Sequence, residues 1–294
     1  MNRFKNQWLD KLKSRDTRES LVQLRKIVAI FAGILFFAFS CFWILYSPEW
    51  GYTGGGMSVW DPITGFQYYI DDEDQEIIVM NYKNSKSVKD GCLEIPNSFW
   101  GRPITTIYLW GINSNVVSVK IPDSVTTISD MSQGEMQEVT GGTNVKVIAP
   151  DAFMGCTSLT KVELGNNIEE IGSYAFVGCS SLKEIKLGNY LEEVEEGVFY
   201  GCTSLEKVEL GNNVLKIQKD AFKECSSLKE VTKTDNLQYI GENAFASSSI
   251  EEIDLSNVIK IKDGAFANSM LESIVLQEGV QLGEDVFAGT PMYP

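Results

Sequence analysis

Hydrophobic residues recur at fixed intervals through the C-terminal half of the chain. A phenylalanine preceded by Ala or Val returns every 21 or 23 residues, and an aliphatic residue stands five positions before it. A repeat of this length predicts stacked units, because one unit cannot bury its apolar face alone. The phenylalanine column, a predicted structural ladder, consists of Phe153, Phe176, Phe199, Phe222, Phe245, Phe266 and Phe287.

Each unit also contains a short alternation of apolar and polar residues. The V-x-L pattern at 162–164 recurs 23 residues later, and such alternation is typical of a half-buried β-strand. A Gly-Asn turn follows, and then a second short strand that ends at the aliphatic column. Because that column extends upstream to Ile107, we predict a mainly β repeat solenoid of about nine coils with short parallel strands over 104–294, preceded by a leading β-segment at 66–103.

Two stretches depart from this pattern. Residues 129–147 lack the Ala-Phe pair and the V-x-L alternation and offer mainly Met136 and Val139. They predict a distorted coil, with a functional bulge as the alternative. Lys233 occupies a position that leucine holds in earlier coils, so we expect the coil there to deviate.

A cysteine follows the phenylalanine by three residues in four successive coils, and Ser or Thr takes its place in the later ones. Metal binding is not favoured, because the chain has no histidine and no C-x-x-C pair. Disulfides stay open, because neighbouring rungs lie within bridging range. We favour a buried thiol ladder, since stacked equivalent positions point their Cβ atoms the same way. Its members are Cys156, Cys179, Cys202 and Cys225.

The outward positions of the V-x-L strands carry charges that alternate in sign from coil to coil. One column is Lys161, Glu184, Lys207 and Glu230, and the next is Glu163, Lys186 and Glu209. Opposite charges on neighbouring strands can specify register. The same residues form a candidate binding surface, to which we add two aromatic residues of the first coils, Trp100 and Trp110.

Six glutamates form an acidic stripe along the second strands of successive coils: Glu169, Glu170, Glu192, Glu193, Glu195 and Glu196. We interpret this stripe as a solvated face that keeps the protein soluble. Binding of divalent cations or of a basic partner is the alternative.

The N-terminal 65 residues have a different composition. Residues 1–26 form a basic tail, and 27–46 are uncharged and long enough for a transmembrane helix. Residues 47–65 contain a glycine triplet and two prolines and predict a linker. Because the basic residues precede the apolar segment, we predict a single-pass membrane protein with a cytoplasmic N-terminus and an extracellular repeat domain. A cleaved signal peptide and a lipoprotein are the alternatives.

Composition excludes several kinds of chemistry. Without histidine the chain cannot form a Ser-His-Asp triad or a Cys-His pair. A net charge of −15 argues against nucleic-acid binding, which needs a basic face. There is no P-loop, no nucleophile elbow and no dinucleotide fingerprint. We therefore expect no enzymatic activity, no cofactor and no metal.

The repeated A-F-x-G-C-x-S-L-x-x-V-x-L resembles the BspA-like leucine-rich repeat, a family of surface-exposed repeat proteins. The leading segment CLEIPNSFWGRPITTI is similar to that family's first turn, and the resemblance covers roughly 66–294. It implies a solenoid used for binding, often adhesion, with an extracellular protein or a cell-surface ligand as partner. A structural envelope spacer without a ligand and a carbohydrate-active enzyme on a solenoid are the alternatives.

Overall fold

The computed structural model describes residues 56–61, 63–71, 76–82, 88–109, 112, 115–132, 134–232 and 235–293. The predicted basic tail 1–26 and apolar segment 27–46 lie outside the described residues, as do Trp110 and Lys233. The described part of the chain contains β-strands and turns and no α-helix.

The described residues include no helix that is long and apolar enough to cross a membrane. The prediction of a single-pass membrane protein with an extracellular repeat domain is corrected by this finding. Where the structure describes the chain, its buried apolar residues belong to short strands and to the turns between them, and they form the core of a solenoid.

Most of the strands fall into two parallel columns. The first-strand column carries the V-x-L alternation and consists of β5 (Cys92–Glu94), β9 (Ser118–Ile121), β11 (Glu138–Gly141), β13 (Lys161–Glu163), β15 (Glu184–Lys186), β17 (Lys207–Glu209), β19 (Glu230–Thr232), β21 (Glu252–Leu255) and β23 (Ser273–Leu276). The second-strand column consists of β8 (Thr106–Tyr108), β10 (Thr127–Asp130), β12 (Val147–Ile148), β14 (Glu170–Ile171), β16 (Glu193–Val194), β18 (Lys216–Ile217), β20 (Tyr239–Ile240), β22 (Lys260–Ile261) and β24 (Gln281–Leu282).

The mainly β solenoid predicted from the repeat is confirmed, with about eight turns rather than nine. Each complete turn carries one strand of each column, and these pairs run from β9–β10 to β23–β24. The ninth predicted coil began at Ile107. Its strand, β8, pairs with β10 on one side and on the other with β3 (Ile77–Tyr82) of the leading β-segment, so it joins that segment to the solenoid.

The leading β-segment covers the first turn with an antiparallel meander. Its strands are β1 (Gly56–Trp60), β2 (Phe66–Asp71) and β3 (Ile77–Tyr82), with the short strands β4 (Val88–Lys89), β6 (Ser98–Phe99) and β7 (Arg102–Pro103). The predicted linker 47–65 is corrected here, because residues 56–60 pair with β2 along their whole length and bury Val59. The ring of Tyr68 is fully buried and stacks on Phe99 with centroids 3.9 Å apart.

The third side of each turn is a five-residue stretch that we call the AF segment. It begins one residue before each Ala-Phe or Val-Phe pair and ends two residues after it, as in residues 151–155. The phenylalanine rings stack from turn to turn, with centroids between 4.9 Å for Phe153–Phe176 and 6.0 Å for Phe266–Phe287. The first residue of each AF segment adopts a positive φ of 50° to 63°, which turns the chain into the core. These residues are Asp151, Tyr174, Gly197, Asp220, Asn243, Gly264 and Asp285.

The stretch 129–147 forms a turn that keeps the column positions with methionine. Met131 and Met136 are fully buried, and β11 pairs in register with both β9 and β13. The Met131 carbonyl accepts a hydrogen bond from the Cys156 thiol, just as a phenylalanine carbonyl accepts one from each later cysteine. A flexible thioether therefore replaces the ring. A register shift lies between Ile128 and Asp130 in the pairing of β10 with β8.

Candidate functional site: a groove between two turns

Both strand columns are interrupted at the same boundary between turns. The first-strand column is continuous from β4 to β13 and resumes at β15, and the second-strand column is continuous from β1 to β14 and resumes at β16. The first-strand column breaks again between β19 and β21, but there the second-strand column continues unbroken to β24. Among the described turns, only the boundary between β13–β14 and β15–β16 is open in both columns.

The AF side of this boundary stays closed. The amides of Phe176 and Gly178 donate to the carbonyls of Val198 and Tyr200 at 2.9 and 2.8 Å. The rings of Phe176 and Phe199 stack at 5.4 Å. The two turns are therefore joined along one side and separated along the other two.

Tyr174 fastens the closed side across the boundary. Its hydroxyl donates to the Glu196 carboxylate at 2.7 Å, and this hydrogen bond raises the pKa of Tyr174. Its ring lies over Gly197, where a Cβ atom would come within 2.2 Å of the ring. The lack of a side chain at Gly197 therefore leaves room for the Tyr174 ring.

The open side forms a groove of about 930 Å³ between β13 and β15. Val162 and Leu164 are half-buried there, whereas the equivalent residues two turns later, Val208 and Leu210, are fully buried. The floor of the groove is therefore apolar surface that other turns cover with the next strand. It is formed by Val162, Leu164, Ile168, Ile171, Phe176, Ile185 and Leu187.

The rim of the groove brings together seven residues of the predicted binding surface: Lys161, Glu163, Glu184, Lys186, Lys207, Glu209 and Glu230. Trp100 is not among the lining residues. It lies in the β6–β7 turn, 40% exposed, and stacks on Phe99 at 4.7 Å. The sequence pattern thus identified the charged rim but not the groove that it surrounds.

The predicted alternation of charges holds on one side of the groove. Lys207 Nζ lies 2.7 Å from Glu230 Oε1, and Lys186 Nζ lies 3.5 Å from Glu209 Oε1. The hydrogen bond that Lys207 donates to Glu230 is the main cause that raises the pKa of Lys207. These pairs are exposed and contribute little to stability individually.

The predicted neighbours Lys161 and Glu184 do not pair. They would have met across the boundary that is open, so the prediction is wrong there. Lys161 instead forms an ion pair at 3.0 Å with Glu163, two residues along its own strand, and that carboxylate raises the pKa of Lys161.

The acidic stripe supplies a physical reason for the opening. At the adjacent boundaries acid faces base, as in the Lys146–Glu169 pair at 2.8 Å and the Lys216–Glu193 pair. At the open boundary the repeat places the carboxylates of 169–170 opposite those of 192–193. Like charges opposite each other in a sheet are destabilising.

The raised pKa of Glu195 shows the effect of the same repulsion between carboxylates. Its pKa is raised first by partial burial and then by the carboxylates of Glu193 and Glu170, the second of which lies across the boundary. The charge of Glu170 therefore acts on the neighbouring turn. Members of the acidic stripe, which the sequence predicts to be a solvated face, therefore also interact across the boundary between the two turns.

Replacing Glu170 by lysine is expected to draw this boundary together. The substitution converts a like-charge contact into an opposite-charge contact, which contributes about 1 kcal/mol. In a domain of this size that raises the thermal midpoint by about 2–4 °C. Differential scanning calorimetry measures it against Glu278→Lys, the same charge change at an exposed turn. A midpoint at or below that of the control would contradict the role given to Glu170.

The cysteine column lies on the closed side, away from the groove. All four cysteines are thiols, and their side chains are fully buried. Those of Cys179, Cys202 and Cys225 donate to the carbonyls of phenylalanines one turn earlier, at 3.1–3.2 Å. Burial raises the pKa of Cys179 and Cys202 and brings that of Cys225 to about 12. Such thiols are unreactive at neutral pH.

A solenoid of short parallel strands with one leucine-rich turn per repeat defines a leucine-rich repeat protein. The sequence profile of the BspA type leucine rich repeat region matches residues 111–209 and 192–293, with six copies. The chain therefore belongs to this family. Membership indicates a repeat protein that binds other proteins.

One solved structure supports the fold, and a second is similar to the chain. The chain is similar to the leucine-rich repeat protein TpLRR of T. pallidum, with 23% identity, a TM-score of 0.57, and coverage of 64% of this chain and 88% of that chain. It is also similar to a leucine rich cell surface protein from Faecalibacterium prausnitzii, with 19% identity, a TM-score of 0.44, and coverage of 84% and 82%. No curated protein matches the chain.

Proposed function

We propose that the protein binds a protein partner on its first-strand face, centred on the groove between β13 and β15. The observation that carries this proposal is the groove at a boundary where both columns are open, in which Val162 and Leu164 of the apolar floor are only half-buried. Where the turns of a solenoid are closed, the apolar surface of each strand is covered by the strand of the next turn. Apolar surface that stays uncovered within a charged rim is typical of an interaction site.

The composition of this face fits a protein partner better than a strongly charged ligand. An apolar centre inside a polar rim is the usual arrangement of a protein interface. Lysines and glutamates alternate on the rim, so the rim carries no dominant sign of charge. Polyanions and polycations would each meet as much repulsion as attraction there.

We further propose that the partner is an extracellular protein or a cell-surface ligand. The sequence resemblance implies adhesion, with an extracellular protein or a cell-surface ligand as the bound species. A spacer without a ligand is the competing function. It would leave the groove without an occupant, and it predicts no loss of binding from any change at the rim.

Binding assays with a charge-swapped variant test the proposal. The full chain is immobilised and titrated with matrix proteins, intact cells and wall polysaccharides. We expect saturable binding of a protein or of cells that is lost when Glu184→Lys and Lys186→Glu are combined, a swap on β15 that leaves the net charge unchanged.

The matched control swaps the Lys219–Glu242 pair, which lies outside the groove. It should bind as the unmodified chain does. Binding that survives the β15 swap, or that is confined to polysaccharides, would contradict a protein partner at this face.

A further inference from the structure

We propose that the partner enters the groove as an extended segment and adds a strand between β13 and β15. This inference rests on the proposed function and specifies how the partner is held. The backbone edges that face the groove, its width and the side chains on its two walls support this insertion.

The two walls of the groove are strand edges whose hydrogen-bonding groups face each other. In a parallel sheet, alternate residues direct their N–H and C=O groups to opposite neighbours. The Leu187 amide accordingly donates to Glu209 at 2.9 Å and the Leu210 amide to Thr232 at 3.1 Å. The equivalent amide on β13 belongs to Leu164, and β15 does not pair with β13 to receive it.

The same alternation identifies the other groups at the two edges. Val162 and Leu164 direct their backbone groups from β13 into the groove, and Glu184 and Lys186 do so from β15. An occupant with amide and carbonyl groups at strand spacing can bond to both edges at once, which is how extended peptides add to sheets. A compact apolar molecule would cover the floor but leave these polar groups unsatisfied, at a cost in free energy.

The width of the groove sets how far the turns must move. Strands in a sheet lie about 4.8 Å apart, so an added strand needs about 9.6 Å between β13 and β15. Some Cα atoms of these strands lie within 8 Å of each other. Because 8 Å is an upper limit for these pairs, insertion separates the turns by at least about 1.6 Å more. The movement leaves the AF side as the pivot, where the Phe176 and Gly178 amides stay bonded.

The walls also determine the sequence of the inserted segment. In a strand, every second side chain faces the same side, so alternate residues of the segment point to the floor between Val162–Leu164 and Ile185–Leu187. Valine, isoleucine or leucine at these positions reproduces the packing of a closed boundary. The floor thus selects an alternating apolar pattern.

The outward residues of the segment meet charges of both signs. One lies between Lys161 and Glu184, and the next lies between Glu163 and Lys186. Because each position is flanked by one lysine and one glutamate, neither sign of charge is favoured. The expected occupant is an extended segment with alternating aliphatic residues, neutral or mixed in charge. The chain's own residues 204–211, SLEKVELG, have this pattern.

A peptide-binding experiment on the full chain tests the insertion. The probe is the acetylated and amidated peptide SLEKVELG, titrated by NMR or fluorescence anisotropy. Hydrogen exchange is then followed at the amides of residues 162, 164, 184 and 186. We expect saturable binding that slows exchange at these amides on both walls by about tenfold or more.

Three controls separate strand addition from simple apolar contact. The same peptide N-methylated at its Val and second Leu cannot donate to β15, and it should bind about tenfold more weakly or worse. Val162→Lys places a charge on the floor and should have a similar effect, whereas Val275→Lys, at a site 55% exposed on β23, should not. Circular dichroism checks that both variants fold.

Each outcome bears on the proposal. Binding that protects both walls and is lost on N-methylation or with Val162→Lys supports strand addition. Equal binding of the N-methylated peptide, protection of neither wall, or no binding at millimolar peptide overturns it. None of these results removes the protein-binding proposal, which stands or falls on the β15 charge swap.

Discussion

Replacing Phe199 by alanine is expected to lower the free energy of unfolding by about 3–5 kcal/mol. The ring is fully buried between Phe176 at 5.4 Å and Phe222 at 5.2 Å. Removing it leaves a cavity that two stacked rings cannot fill without breaking the AF-segment hydrogen bonds on either side. Urea denaturation followed by circular dichroism measures the loss.

The last ring of the ladder provides a matched control. Phe287 is half-buried and contacts a single neighbouring ring, Phe266, at 6.0 Å. Its replacement by alanine should cost about 1–2 kcal/mol, because less apolar area returns to water. Equal losses for the two substitutions would contradict the view that each turn is stabilised mainly by the turns on both sides of it.

Raising the pH from 7.5 to 9.5 should lower the free energy of unfolding of the reduced protein by about 4 kcal/mol. Burial raises the pKa of Cys179, Cys202 and Cys225 in the folded state above the ordinary value. In the unfolded chain these thiols ionise near pH 8.5. Above that pH the unfolded state therefore binds fewer protons than the folded state, and stability falls.

The sign of this dependence follows from linkage. The contribution of the buried thiols is fully present below pH 8.5 and is lost as the pH rises toward their folded pKa, at about 1.4 kcal/mol per thiol for each pH unit. Urea titrations at both pH values, with a phosphine reductant, measure it. Cys179→Ala should reduce the pH-dependent loss by about a third. A loss unaffected by Cys179→Ala would contradict the assignment to buried thiols.

The ladder positions could be predicted from the sequence because stacking demands one residue type at one place in every turn. Phe153 and its successors, and the cysteines three residues after them, are visible as columns for that reason. Met131 could not be recognised in this way, because it takes the place of the phenylalanine without repeating the Ala-Phe pair. Strand β1 was missed because glycine and proline nearby suggested a linker, whereas its pairing with β2 depends on a contact that local sequence does not reveal.

The groove could not be predicted from repeat length. The spacing is 23 residues on both sides of the open boundary, so no insertion marks it. The sequence signal for the groove is the acidic stripe. There, two glutamates at 169–170 are followed one repeat later by two more at 192–193, so that carboxylates face carboxylates. Recognising its consequence requires knowing which charges become neighbours, and that depends on the register of the stacked turns.

The open boundary is the central claim, and amide hydrogen exchange of the free chain tests it most directly. The amides of Val162 and Leu164 face the groove, while those of Val208 and Leu210 occupy the same places in a closed ladder. At neutral pH we expect the first two to exchange faster than the second two by about tenfold or more. Equal protection at the four amides would show that β13 and β15 are paired, and would contradict the groove and everything proposed for it.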